Sequence, residues 1–464
     1  MGVKKTNSTM IFSVLLLVVS VVLALGLTFF TDGEFTAFYL MKDIPIYFHI
    51  DALGKWFIAI VSIVWLSVGL YSMVYMKHEG GEKRFYIFYL LLYWVLIGLN
   101  AAGNLITMYM FYEFMSLVSF PLVMHNGSKE AIMASLKYLF YSMCGAYMGL
   151  FGILQLSRYC ESLKFVPGGT LLPGAAGQNM LYIAVFVMII GFGVKAGMLP
   201  FHSWLPTAHP VAPSPASAVM SAIIVKAGVL AIIRVVYYLV GPFYLAGTWV
   251  QYTLMTLALI TVFMGSLLAY REKVFKKRLA YSTVSQVSYI LFGLFVMTEN
   301  GFMGAMLHVC FHAFVKCGLF LTAGIFIVCL NKTKVDELAG VGKRMPVVLS
   351  CYTFFALALI GIPPTSGFIS KWYLAEGALS AHIGIFRYLG PAVLLISALL
   401  TAGYLLPITM KGFFPGEDGG GSKKEEPPKQ MLIPLLILAV LAVLCGVFPN
   451  FLTGYVGEIT GLIF

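Results

Sequence analysis

The stretch GFGVKAGMLPFHSWLP, residues 191–206, sets a lysine and two prolines inside an apolar run long enough to cross a membrane. Lys195 stands five residues before Pro200, and Pro206 follows six residues after that. Proline within a helix removes a backbone hydrogen bond and clashes with the preceding turn. At membrane depth an interrupted helix is tolerated only where it is buried in protein or lines a wet cavity. The stretch therefore predicts a helix that enters the bilayer, breaks beside a charge and continues. A second run has the same build. In GIPPTSGFISKW, residues 361–372, Pro363 and Pro364 interrupt a long apolar segment and Lys371 follows.

The rest of the 464-residue chain fits that setting. It is 60% hydrophobic and 11% charged, against about 25% charged in soluble domains. Too little of it is polar to cover an aqueous-facing shell, so the expected fold is all-α, a polytopic membrane protein. Thirteen spans are expected: 9–30, 53–76, 84–102, 104–125, 130–157, 179–209, 214–239, 247–269, 274–296, 300–330, 345–385, 388–411 and 430–448. The first continues apolar from Val14 to Phe30 without a small-residue cleavage site, and reads as a retained span. The net charge of +11 does not point to nucleic acid, because the basic residues sit in short loops between spans. The seven cysteines are scattered with no CxxC pair, which argues against an iron–sulfur site or a disulfide framework.

With thirteen spans the loops alternate sides, and the basic residues divide nineteen to five in favour of the N-terminal side. The positive-inside rule then predicts a multi-pass protein of the inner (plasma) membrane, N-terminus cytoplasmic and C-terminus extracytoplasmic. GEDGGGSKKEEPPKQ, residues 416–430, reads as a flexible cytoplasmic loop. Spans three to seven and eight to twelve form two five-helix units, inverted because the number is odd, each with its broken helix in fourth place. Paired interruptions in inverted halves mark a transport pathway. The resulting division is 1–83, N-terminal spans; 84–239, first half-channel; 240–411, second half-channel; 412–464, loop and C-terminal span.

Charges inside spans cost roughly 2.5–3.5 kcal/mol each on insertion scales, so six of them mark function. Glu113 lies in MYMFYEFMSLVSF, residues 108–120, close to the middle of its span. Lys137, Lys195, Lys226, Lys316 and Lys371 are the lysines left inside spans. Snorkelling competes with function for Lys137, and is a poor reading for Lys226 in mid-span. His308, His312 and Lys316 recur at i, i+4 and i+8, which stacks them on one helix face as a proton relay. The histidine pair lacks a third ligand for a metal. His202 and His209 flank the first break and satisfy backbone there or serve the path. No phosphate loop, nucleotide fingerprint, nucleophile triad or cofactor pocket is legible, so no cofactor and no metal are expected and the chemistry is ion movement. For Glu113 two readings stand: a static bridge between helices, or a switch. Burial disfavours a lysine's charge and a nearby carboxylate restores it, so moving Glu113 relative to a buried lysine would load or empty that lysine. At an effective dielectric of about 20 and a separation of about 4 Å, the pair is worth roughly 4 kcal/mol.

The run GFGVKAGMLPFHSWLPTAHPVAPSPASAVMSAIIVKAGVLAIIR, with KKRLAYSTVSQVSYI, LHVCFHAFVKCGLFLTAGIF and GIPPTSGFISKW, resembles the antiporter-like membrane subunits. These occur in respiratory complex I, in membrane-bound hydrogenases and formate hydrogenlyases, and in Mrp-type cation/proton antiporters. The resemblance runs from about residue 50 to 445. It implies an ion pair of Glu113 with Lys195, a central Lys226, a connecting relay of His308 and His312, and Lys371 as the terminal lysine. It implies partners too: other membrane subunits of a multisubunit complex, the lipid bilayer, and protons or Na+ as cargo. The chain would be a non-redox, proton-pumping subunit of a redox-driven assembly of NADH:quinone oxidoreductase or hydrogenase type, or else an Mrp-type subunit with no redox partner. Fourteen-span members begin with a span that is not expected among the thirteen here, many have histidine where this chain has Gln286, and some hydrogenase-type members have glutamate in place of Lys371.

Overall fold

The computed structural model describes residues 8–30, 33–41, 44–175, 177–416 and 424–464. Residues 417–423 of the expected Gly-rich loop lie outside that description. The elements in order are α1 (Ser8–Phe30), β1 (Glu34–Met41), β2 (Ile44–His49), α2 (Ala52–Glu79), α3 (Glu82–Asn100), α4 (Leu105–Val123) and α5 (Lys129–Leu156). The first broken helix follows as α6 (Asn179–Ala196) and α7 (Trp204–Val211), then α8 (Ser214–Val219) and α9 (Val225–Val235). The second half has α10 (Trp249–Arg271), α11 (Phe275–Val296) and α12 (Glu299–Leu330), the broken pair α13 (Pro346–Ile360) and α14 (Ser366–Ser380), and α15 (Phe386–Phe413). The chain closes with α16 (Lys429–Val447) and α17 (Asn450–Ile463).

Among the described residues, eleven helical segments are long and apolar enough to cross a membrane. Two expected spans fall outside that set. Helix α3 starts with Glu82, Lys83 and Arg84, and α13 and α14 are only 15 residues each. The chain is a multi-pass membrane protein.

Both breaks occur where local chemistry ends a helix. Gly197 (φ 77°) closes α6 and Gly361 (φ 91°) closes α13, each in the left-handed region that glycine adopts without strain. The starts are equally local. Asp51, Asn104, Ser128 and Thr298 each accept a backbone N–H of the first turn of α2, α4, α5 and α12. The segment Ser214–Val240 is buried at every position and forms the axis of the bundle. It includes two widened π-type turns, Met220–Ile224 and Val236–Val240.

The fold is mostly helical, and it adds one element that the all-α expectation did not include. β1 and β2 form an antiparallel hairpin. The segment is too short to span, and its run of aromatic and branched residues suits a strand. Its second strand docks on the α3–α4 connection, with His49 N donating to Ala101 O at 2.9 Å and Gly103 N to Tyr47 O at 3.0 Å. The tail after residue 448, beyond the last expected span, forms the helix α17. Its buried Val456, Ile459 and Ile463 follow helical spacing, and Tyr455 OH donates to Ala52 O at 2.9 Å.

The loops sort into two ends. At one end, Val335 N donates to Lys273 O at 3.0 Å, Gly340 N to Lys411 O at 3.0 Å, and Glu425 N to Arg344 O at 2.8 Å. There a hydrogen bond from Arg344 (2.6 Å) holds the Glu425 carboxyl below the usual carboxylate range. At the other end, which holds the hairpin, the buried Arg234 grips Asp51 with two bonds of 2.5 and 2.7 Å, between the rings of Phe165 and Tyr238. The first end includes the basic loops around Lys273, Lys334, Arg344 and Lys411.

Candidate functional site

Lys195 occupies the last turn of α6, immediately before the break, and is fully buried. Its Nζ donates to Ser116 Oγ of α4 at 2.8 Å and, on α5, to Tyr138 OH at 3.0 Å and Ser142 Oγ at 2.8 Å. The Tyr138 ring lies 4.5 Å from the same nitrogen. The expected ion pair with Glu113 is not closed. None of the ion pairs among the described residues includes either residue, and Glu113 Oε1 is buried without a hydrogen-bond partner. The reason is donor arithmetic: an ammonium has three N–H groups, and three hydroxyls take them. Glu113 is half-buried beside the exposed Phe114 and Leu117, at the flank of the bundle, with its carboxyl hydrogen-bonded to Tyr109 one turn earlier and close enough to Lys195 to act on it electrostatically without a direct bond.

Lys137 is half-buried and reaches inward. Its Nζ donates to Thr207 Oγ1 of α7 at 3.1 Å, just past the break. The reading of His202 and His209 as backbone partners fails. Both ring nitrogens of the buried His209 and the Nδ1 of His202 lack hydrogen-bond partners, and His209 instead stacks on Phe320 at 4.7 Å.

The second group converges on α12. Lys226, two residues beyond the first π-type turn, donates to Ser221 O of that turn at 2.8 Å and meets His312 Nδ1 at 2.6 Å. π-Type turns are frequent at functional sites because they re-aim side chains. His312 and His308 stack with ring centres 5.9 Å apart, and His308 stacks on Tyr289 at 5.7 Å. His308 Nδ1 meets Ser370 Oγ at 2.9 Å, and the next residue, Lys371, lies 5.0 Å from the centre of the Tyr289 ring. Lys371 Nζ also donates to Leu359 O and Ile360 O at 2.7 and 2.8 Å, the free carbonyl end of α13 across the break. One row thus runs from Lys226 through His312 and His308 to Lys371. Both histidines leave Nε2 buried without a protein partner, so a proton passing between the rings needs a bridging group, and water suits it. Lys316 is fully buried, one turn beyond His312, and donates to Leu279 O at 3.1 Å.

The two groups touch through backbone. A Cβ on Gly228 would come 2.6 Å from Phe192 O and 2.9 Å from Ala196 N, so only glycine lets α9 approach α6 beside Lys195. Among the described residues no direct hydrogen bond joins Lys195 to Lys226. Gln286 is buried with neither amide atom bonded. Residue-type reasoning missed Ser116, Tyr138 and Ser142 around Lys195, and Tyr289 and Ser370 beside Lys371. Ser370 adjoins Lys371 in sequence, but hydroxyls are common in spans and carry no signal of their own.

A family model described as NADH:quinone oxidoreductase/Mrp antiporter, TM, matches residues 102–401. The chain belongs to this antiporter-like transmembrane family. A second model, NADH-ubiquinone oxidoreductase (complex I), chain 5 N-terminus, matches residues 40–86. The chain is 32% identical over 419 residues to NADH-quinone oxidoreductase subunit N of Desulforudis audaxviator, covering 86% of this chain and 81% of that protein. It is 32% identical over 417 residues to hydrogenase-4 component B of Escherichia coli, covering 85% of this chain and 61% of that one. In structure it resembles a chain of the membrane-bound sulfane sulfur reductase, an archaeal respiratory membrane complex, with a TM-score of 0.85 and 24% identity over 98% of this chain and 93% of that chain. The antiporter-like match at 102–401 encloses Glu113, Lys137, Lys195, Lys226, His308, His312, Lys316 and Lys371.

Proposed function

We propose that this chain is the proton-translocating membrane subunit of a complex-I-like, redox-driven assembly of NADH:quinone oxidoreductase or membrane-bound hydrogenase type. The observation that carries the reading is the buried row Lys226–His312–His308–Lys371, which ends beside a broken helix. Such groups inside a bilayer are costly and mark ion pathways. The redox context is supported by the two relatives, whose names place them in quinone-reducing and hydrogenase assemblies. The family description also names Mrp antiporters, and a cation/proton antiporter subunit with no redox partner would move its proton along the same row. Purifying the intact complex and identifying its subunits separates the two: hydrogenase or quinone-reducing subunits support the first reading, and small antiporter partners alone overturn it.

In this reading residues 84–239 and 240–411 are two inverted five-helix half-channels, and the crossings number thirteen when α3 and the α13–α14 pair are included. Residues 1–83 and 412–464 flank them. The chain sits in the inner (plasma) membrane with its basic end cytoplasmic. Reporter fusions after Lys424 and after Phe464 are expected to report opposite sides, cytoplasmic and extracytoplasmic. The same side for both overturns the span count.

Glu113 is the switch of the first half-channel. With three hydroxyls holding Lys195, the carboxylate stands off; its approach would favour the charged lysine, and its withdrawal the release of the proton. Glu113→Gln keeps shape and hydrogen bonding but removes charge. The complex is expected to assemble and to lose proton transport, with redox turnover not linked to pumping retained, while Glu113→Asp keeps part of the activity. Normal pumping by an assembled Glu113→Gln complex sinks the switch. If Glu113→Gln fails only because the complex falls apart, the residue's role is structural and the switch is wrong.

A further inference from the structure

A seam of buried hydroxyls runs between α11 and α15 and has no place in the row described above. On α11, Ser282, Ser285 and Tyr289 share one face at i, i+3 and i+7; on α15, Ser397, Thr401 and Tyr404 share one at i, i+4 and i+7. All six are buried, as is Ser266 of α10 beside them. Near the basic end, Tyr404 OH meets Ser282 Oγ at 2.6 Å and also contacts Thr401. One turn deeper, Ser266 Oγ meets Ser285 Oγ at 2.8 Å and Ser397 Oγ at 2.5 Å. Ser397 in turn lies beside the hydroxyl of Tyr289, which donates to Leu394 O at 2.7 Å and whose ring faces Lys371 and His308. The two clusters are linked by Thr401 Oγ1, which donates to the backbone oxygen of Ser397 at 2.8 Å. A hydroxyl both donates and accepts, so with water bridging the turn between them they can pass protons as well as hold helices together.

At the basic end the seam is closed by Arg278. It lies eleven residues before Tyr289 on α11, about 16 Å along the axis at helical rise. Its side chain is buried and fixed from two sides: Nε donates to Glu272 O and Nη1 to Tyr404 O, both at 2.8 Å. Tyr404 is the residue whose hydroxyl begins the ladder. Among the described residues no carboxylate lies within 4 Å of this guanidinium; the Glu272 carboxylate is taken by Lys277 at 2.9 Å. Asp336 and Glu272 act on Arg278 only at longer range, alongside the phenols of Tyr352 and Tyr404.

We infer that Arg278 is a proton-leak barrier: a fixed, permanently charged plug that closes the hydroxyl ladder between the basic face and Lys371. A protein that moves protons against a gradient must keep its carriers from short-circuiting to the side they were loaded from. A fixed guanidinium repels an arriving proton, as cations in selective pores do, and arginine cannot itself release one. The rival account makes the hydroxyls interhelical glue only, and then Arg278 merely anchors a loop. The inference rests on Lys371 as a proton carrier, but its test needs no turnover, so a failure here leaves the pumping reading to its own experiments.

The test uses the intact complex in sealed vesicles, without electron donor, following the decay of an imposed pH step with an internal pH dye. Arg278→Gln keeps donors for both carbonyls and removes the charge. It is expected to raise passive proton entry several-fold over wild type, with Arg278→Lys close to wild type. Adding Ser397→Ala to Arg278→Gln cuts the ladder and is expected to return the leak towards wild type. A tight Arg278→Gln complex, or a leak that Ser397→Ala leaves unchanged, overturns the inference. If the neutral variant assembles poorly, Arg278→His is read in one preparation at about pH 5 and about pH 8, either side of histidine's ordinary value of about 6.5. Relative to wild type at each pH, the leak should appear only at the higher one; equal ratios overturn the barrier.

Discussion

Replacing Lys371 by arginine is expected to leave the complex assembled and to reduce proton transport by about a hundredfold or more, the scale on which a positioned proton-transfer group acts. The argument begins with what holds the side chain. Its Nζ donates to Leu359 O and Ile360 O, the carbonyl end of α13. A helix C-terminus carries partial negative charge and unpaired carbonyls, so a cation there is stabilised twice over. The face of Tyr289 adds a contact of its own. From sequence, Lys371→Ala reads as removing a carrier and relieving a buried charge, with no harm to assembly. The bonds across the break change that expectation. Alanine leaves two carbonyls without donors, at about 1–3 kcal/mol for each that stays dry. Loss of transport in Lys371→Ala would therefore mix structure with function. Arginine keeps the charge and the donors but cannot release a proton near neutral pH. Transport near the wild-type rate in Lys371→Arg vesicles, at normal abundance of the complex, removes Lys371 from the path.

The second large effect concerns Lys226 and His312. Their nitrogens stand 2.6 Å apart in a fully buried setting. A hydrogen bond of that length needs one donor and one acceptor. The pair therefore carries at most one excess proton, placed either on the amine or on the imidazole, because two facing cations would repel strongly in so dry a site. Lys226→Gln retains a donor for Ser221 O and a partner for the imidazole, and His312→Gln retains a partner for the ammonium. Each is expected to reduce proton transport by about a hundredfold or more. Because the two act as one unit, the double variant should be no slower than either single, the non-additivity expected of coupled groups. Proton uptake per electron in the reconstituted complex measures this. A double variant whose loss is the product of the two single losses means that the residues work independently.

The sequence alone was enough for the features that depend on short stretches of chain. A lipid surround demands long apolar runs and internal backbone pairing, so the spans were legible. The breaks after Lys195 and before Lys371 were legible because glycine and proline end helices wherever they stand. The charged residues were conspicuous because a bilayer makes each one costly. The stripe of His308, His312 and Lys316 followed from helical periodicity alone.

The tertiary structure decided which atoms meet. Lys226 and His312 lie 86 positions apart, and no spacing rule connects them. The approach of α9 to α6 depends on the missing side chain of Gly228. Glu113 and Lys195 read as a pair by charge, yet Ser116, Tyr138 and Ser142 take all three donors of the ammonium. Neutral hydroxyls compete well for a buried ammonium, and nothing in their sequence positions sets them apart from the many others in the spans. The paired strands β1 and β2 were missed because a membrane pattern is read for long apolar runs, and their seat depends on backbone groups of the distant 101–103 turn, which bond to β2. Local chemistry sets where helices begin, break and end; packing between them decides which proton carriers touch.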